Sequence, residues 1–179
     1  MIKIGRPYTG DAPSWYPYFF NLAKGDNLLE ALEVNKQQTM DLIRSIPASA
    51  ENYSYAEGKW TVKQVFIHLN DDERYYAYKA FCCTRQVNAI LELPQGPDYN
   101  KDFNAHNRTL NDIAEEFITI RKATISLYKH MTDAMLDFKL DSAPVYTARS
   151  VGWMVVGHNV HHRNLLRERY GVCPPSLSS

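Results

Sequence analysis

No run of about 18 apolar residues occurs in the chain, so no bilayer-spanning helix is expected. Neither sign of charge is in excess: twenty Lys and Arg balance twenty Asp and Glu. A neutral surface removes the electrostatic reason to expect nucleic acid or an anionic membrane as a partner. Cysteine is scarce, with Cys82 and Cys83 adjacent, Cys173 alone, and no Cys-x-x-Cys spacing. Such a sparse, odd set argues against a disulfide framework and fits a reducing cytoplasm. The opening MIKIGRPYTGDAPSW has no apolar core, so no secretory signal is expected. Convincing strand alternation and internal repeats are missing too.

What remains is the composition of an ordinary globular protein, 45% apolar and 22% charged over 179 residues. That length predicts one domain, residues 1–179, with room for a substantial core. Four long segments carry helical periodicity. The first, about Asn27 to Ile46, spaces Leu28, Leu32, Leu42 and Ile43 helically and closes at Pro47, with Asn27 and Glu30 at capping-box offset. The second, about Thr61 to Thr84, has Val62, Val65, Leu69, Tyr76 and Ala80 along one side. In the third, Leu110, Ile113, Phe117, Ile120, Thr124, Leu127, Met131 and Ala134 alternate steps of three and four, a bundle seam, with Thr109 and Asp112 at capping offset. The fourth runs from about Ala148 to Tyr170 and stops at Gly171; Arg163, Arg167 and Arg169 near its end suit the helix dipole. Residues 1–25 and 85–106 read as irregular, and a connection as long as the second is often functional. The expected fold is all-α, an up-and-down four-helix bundle.

Half of the six histidines lie in one stretch, "GHNVHH", Gly157 to His162. At about 100° per residue, His158 and His162 are separated by one turn and about 40°, on the stripe shared with Val151, Met154, Val155 and Leu165. Two imidazoles so placed form a bidentate metal clamp. The bland alternative is a pair of polar core residues hydrogen-bonded to neighbours, and the spacing alone does not choose. His68 adds a third imidazole on the seam side of the second helix, and facing bundle helices are where metal sites are built. Three histidines leave an open coordination position, the pattern of a catalytic site. Asp71 and Asp72, one turn on, can reach an imidazole N–H or the ion, or else are solvated flank residues. Tyr75, Tyr76, Tyr78, Arg74 and Tyr99 are candidates to line a pocket. Glu73 points about 140° from His68 and reads as a structural ion-pair partner rather than a proton acceptor. His106 and His130 read as surface histidines, His161 as a rim residue, and Cys82 and Cys83 as small buried hydrophobes.

Three stretches, "YAEGKWTVKQVFIHLNDDERYYAYKA", "NRTLNDIAEEFITIRKATISLY" and "SVGWMVVGHNVHHRNLLRERY", together resemble the DinB-like proteins, in particular the branch of YfiT-type metal-dependent hydrolases and thiol S-transferases. The resemblance spans about residues 28–170. It implies a four-helix bundle, often a homodimer, with a divalent metal, commonly nickel or zinc, on His68, His158 and His162. It further implies a small-molecule substrate and, for some relatives, a low-molecular-weight thiol cosubstrate such as bacillithiol or mycothiol. The expected function is a metal-dependent enzyme in which the open position activates a thiol or water, thiol S-transfer ahead of hydrolysis. The alternatives are a non-catalytic metal-binding protein and a bundle that serves dimerisation.

Overall fold

The computed structural model describes residues 3–86, 104–140 and 145–172. Tyr99 and Cys173, singled out above, lie outside them. Six α-helices are present among the described residues: α1 Tyr16–Leu22, α2 Leu28–Arg44, α3 Val62–Arg85, α4 Leu110–Tyr128, α5 Asp133–Asp137 and α6 Ala148–Tyr170. None is long and apolar enough to cross a membrane.

Threonine starts three of the long helices. Thr61, Thr109 and Thr147 each accept a hydrogen bond from the backbone N–H three residues on, and Gln64, Asp112 and Ser150 return the bond to the cap N–H. These reciprocal pairs satisfy donors that a helix N-terminus otherwise leaves open. The offset at Asn27 and Glu30 forms no such box. Instead the Asn27 amide donates to Glu30 Oε1 at 2.8 Å, and its oxygen faces the Ile4 N–H at 3.4 Å. At the other end of α6, Gly171 takes φ 67°, the left-handed cap for which glycine is suited.

Two expectations change. The seam of the third segment continues to Ala134, but α4 ends at Tyr128. Thr132 accepts from the Met135 N–H and starts α5 afresh, so Met131 stays buried while Ala134 is exposed. The first 25 residues are also not merely irregular. Helix α1 lies against α6, and the chain before it is strapped to the bundle. Leu28 N–H donates to Ile4 O at 2.8 Å, Trp153 Nε1 donates to Gly5 O at 2.8 Å, and the Arg6 guanidinium lies 3.8 Å from the Trp153 ring centre.

The bundle consists of α2, α3, α4 and α6, and both α2 and α3 pack on α4 and on α6. Consecutive α2 and α3 are therefore diagonal. Contacts also give directions. Lys63 reaches Arg108 O while Glu73 pairs with Arg121, so α3 and α4 run parallel. Tyr170 reaches Trp60 O, so α6 runs antiparallel to α3. The four-helix bundle is as expected, but one of its connections joins parallel neighbours. Because α3 has 24 residues, about 36 Å, its end lies far from the start of α4; residues 87–103, most of the long connection expected to be irregular, lie outside the described residues.

The apolar core is split. One cluster gathers Leu28, Leu32, Ala80, Ile125, Tyr128, Trp153 and Met154, the other Leu42, Val65, Phe66, Ile113, Phe117 and Leu166. Between them every bundle helix contributes buried polar side chains: Asn35 and Thr39, His68 and Asp72, Arg121 and Thr124, His158 and His162. A polar belt thus crosses the middle of the bundle. Above it, Gly152 lets α6 approach its neighbours, since a Cβ there would lie 2.4 Å from Leu28 Cδ2 and 2.9 Å from the Tyr128 hydroxyl. Gly152→Ala is expected to lose about 1–3 kcal/mol of stability by overpacking, read as a lower urea midpoint at unchanged slope.

Candidate metal centre

His68 sits in the second turn of α3, and His158 and His162 sit one turn apart on α6, whose antiparallel packing brings the three together. Each retains 8% of its accessible surface. One ligand atom from each falls within 4.8 Å of the other two. The Nε2 atoms of His158 and His162 are 3.1 Å apart. Four ligands at ordinary zinc–nitrogen distances sit about 3.3 Å from one another, so this pair is already near the spacing of a shared ion. Burial drives the His158 pKa well below its usual value, helped by His162 and His68, and takes His162 down to about 3. Both imidazoles are therefore neutral near pH 7, the form that ligates. The donor set fits a divalent ion such as zinc or nickel.

Asp72, a turn beyond His68, is the one sequence candidate carboxylate at the cluster. Its Oδ1 lies 3.6 Å from His68 Nδ1 and its Oδ2 lies 3.5 Å from His158 Nε2. The second distance matters because it places the carboxylate beside the nitrogen that faces His162, on the inner side of the cluster. Burial, with the neighbouring Asp71 charge, raises the Asp72 pKa to about 7. Asp71 itself turns away to Arg74, at 3.3 Å, and stays half-exposed.

Aromatic rings wall the imidazoles. Trp60 lies 4.7 Å from His68, and Phe19 and Tyr76 lie 5.7 and 5.9 Å from His158, between ring centres. The wall on α3 is Tyr76. Tyr75 is half-buried beneath the Lys79 ammonium, 4.4 Å away, and Tyr78 is exposed beside Phe81. Arg74 stands at the surface with Glu116. Phe19 comes from α1, which sequence periodicity did not reveal. Its neighbour Tyr18 has its hydroxyl 3.1 Å from His161 Nδ1, so His161 marks the rim. Gly157 makes this possible: a Cβ there would lie 2.1 Å from the Phe19 carbonyl oxygen.

Behind the histidines, Glu73 is a structural partner. Its carboxylate receives Arg121 Nε and Nη2 at 2.7 and 2.8 Å, while Arg121 Nη1 donates to Asn35 Oδ1 at 2.7 Å and Leu32 O at 3.1 Å. His106 and His130 are exposed. Cys82 and Cys83 are buried, and burial pushes the Cys83 thiol up to about 12, far from a nucleophile.

Residues 31–166 match the family model of the DinB superfamily. The chain belongs to the DinB superfamily. Two solved structures from Bacillus subtilis share the fold. YfiT, described as a probable metal-dependent hydrolase with an unusual four-helix bundle topology, is 14% identical with a TM-score of 0.66 over 94% of each chain. The DinB-like protein YjoA is 17% identical with a TM-score of 0.52, covering 78% of this chain and 86% of its own. A search of the curated proteins found no match.

Proposed function

We propose that this DinB-superfamily chain is a divalent-metal-dependent enzyme acting on a small molecule, with His68, His158 and His162 as the metal ligands. The observation that carries the reading is the convergence of three buried imidazoles beside one carboxylate, Asp72. A divalent ion held there would supply Lewis acidity, acidifying a thiol or a water by charge withdrawal. Everything else is done by the chain. Asp72 lies where it can accept the proton released by that thiol or water, at Oδ2, 3.5 Å from His158 Nε2. Trp60, Phe19 and Tyr76 exclude bulk water and offer flat apolar surfaces to the substrate.

That exclusion of water favours thiol S-transfer, with a low-molecular-weight thiol as cosubstrate and a small electrophile as acceptor. Hydrolysis is the second reading, favoured by the likeness to YfiT and its description. The experiment that separates them is turnover of a panel of small electrophiles by metal-loaded protein, with and without bacillithiol, mycothiol or cysteine. Consumption that needs the thiol and rises with its concentration is expected. Consumption in buffer alone would move the reading to hydrolysis, and none in either arm would sink the enzyme.

A further inference from the structure

Lys79 stands three turns beyond His68 on α3. At about 100° per residue, His68, Asp72, Tyr75 and Lys79 fall within about 60° of one another, so one stripe of the helix carries all four. Side chains on a helix lean toward its N-terminus, which here is the direction of the histidines. Lys79 follows that lean: its ammonium lies 4.4 Å from the centre of the Tyr75 ring, one turn nearer His68. From there the rings continue to the cluster, Tyr75 to Tyr76 at 6.0 Å and Tyr76 to His158 at 5.9 Å between centres.

A second ring faces the same ammonium. The Tyr146 ring centre lies 3.9 Å from it, and Tyr146 is itself well anchored. Its carbonyl accepts from the Leu140 N–H at 3.0 Å, Thr147 after it caps α6, and its ring packs at 5.6 Å on the wholly buried Tyr16. Ring faces attract a cation through their quadrupole without neutralising it. Among the described residues Lys79, half-buried, has no carboxylate at ion-pair distance and no hydrogen bond. Burial takes its pKa down to about 8, against the pull of the Asp72 charge, so the ammonium stays charged near pH 7. A cation held in place, partly desolvated and short of an acceptor is suited to receive a negative oxygen. One ammonium matches the single charge of a carboxylate.

We propose that Lys79 is the anchor for a carboxylate on the small molecule handled at the metal centre, with the Tyr75 and Tyr146 rings holding the ammonium in position. The inference rests on the metal-dependent reading above and narrows its substrate class to small organic acids.

The test uses the full chain loaded with cobalt, whose absorption reports a bound thiolate. Terminal mercapto acids of three lengths, propionic, hexanoic and octanoic, are titrated beside the mercapto alcohols of the same lengths. Wild type, Lys79→Met and Lys79→Arg are compared, each checked for native helicity by circular dichroism. Lys79→Met keeps an apolar stem between the rings and removes the charge. Wild type is expected to bind the acid about tenfold more tightly than the matching alcohol at one of the longer lengths, since eleven residues of helix span about 16 Å. That preference is lost in Lys79→Met and kept in Lys79→Arg. Equal affinity for acid and alcohol in wild type at every length would overturn the proposal alone. So would a preference undiminished in Lys79→Met, or a parallel loss of acid and alcohol binding there, which marks a structural role. No cobalt–thiolate absorption with any thiol overturns the metal reading and this one together.

Discussion

Arg121→Ala is expected to destabilise the protein by about 3–5 kcal/mol, a large share of the stability of a domain this size. The side chain is wholly buried, and its four bonds tie α4 to Glu73 on α3 and to Asn35 and Leu32 on α2. Truncation leaves the Glu73 carboxylate, 3% exposed, without its cation in the middle of the bundle. The penalty comes from that stranded charge more than from the lost bonds. Replacing both members by apolar residues, Arg121→Met with Glu73→Leu, is therefore expected to cost less than Arg121→Ala alone. Urea unfolding of the two variants against wild type measures the difference. Equal or larger loss in the double variant would show that the pair contributes through its geometry.

Gly157→Ala carries the second large effect. A glycine inside a helix ordinarily costs about 1 kcal/mol relative to alanine, so on propensity alone the substitution would stabilise. The contact reverses the sign. The added Cβ would stand 2.1 Å from the Phe19 oxygen and 2.5 Å from its carbonyl carbon, and backbone cannot rotate away as a side chain can. Helix α1 has seven residues, too few to persist without its docking surface. It must separate from α6, taking Phe19 and Tyr18 off the imidazoles. The expected loss is about 3 kcal/mol or more, the upper end of overpacking. Limited proteolysis reads it directly, as new cleavage between residues 15 and 25 while the rest of the bundle stays resistant.

These two sites also mark what periodicity conveys and what it does not. His158 and His162 were legible because one-turn spacing on a rigid helix admits a single relative placement, and His68 because it shares its helix face with Val65 and Asp72. The third helix was legible as a seam, yet its middle was misplaced by one position. Ile120 completes the apolar pattern, but the side chain that enters the bundle is Arg121, and Ile120 is half-buried. An arginine reads as solvent-facing until its partner is known, and that partner, Glu73, is 48 residues away. The polar belt was hidden for the same reason: each helix supplies one or two members, and no single segment shows it. Helix α1 was hidden because docking against Gly157, rather than its own periodicity, holds it. On α3, choosing Tyr76 over Tyr75 required the register against α6, which only packing determines.

The measurement that bears most directly on the metal centre is elemental analysis of untagged protein purified without added metal, beside His158→Ala of matching helical content. About one zinc or nickel ion per chain is predicted for wild type, retained through dialysis and lost in the variant, as three histidine ligands require. Protein that holds neither ion after incubation with both, or a variant that holds as much as wild type, would contradict the account and leave the three histidines as packing.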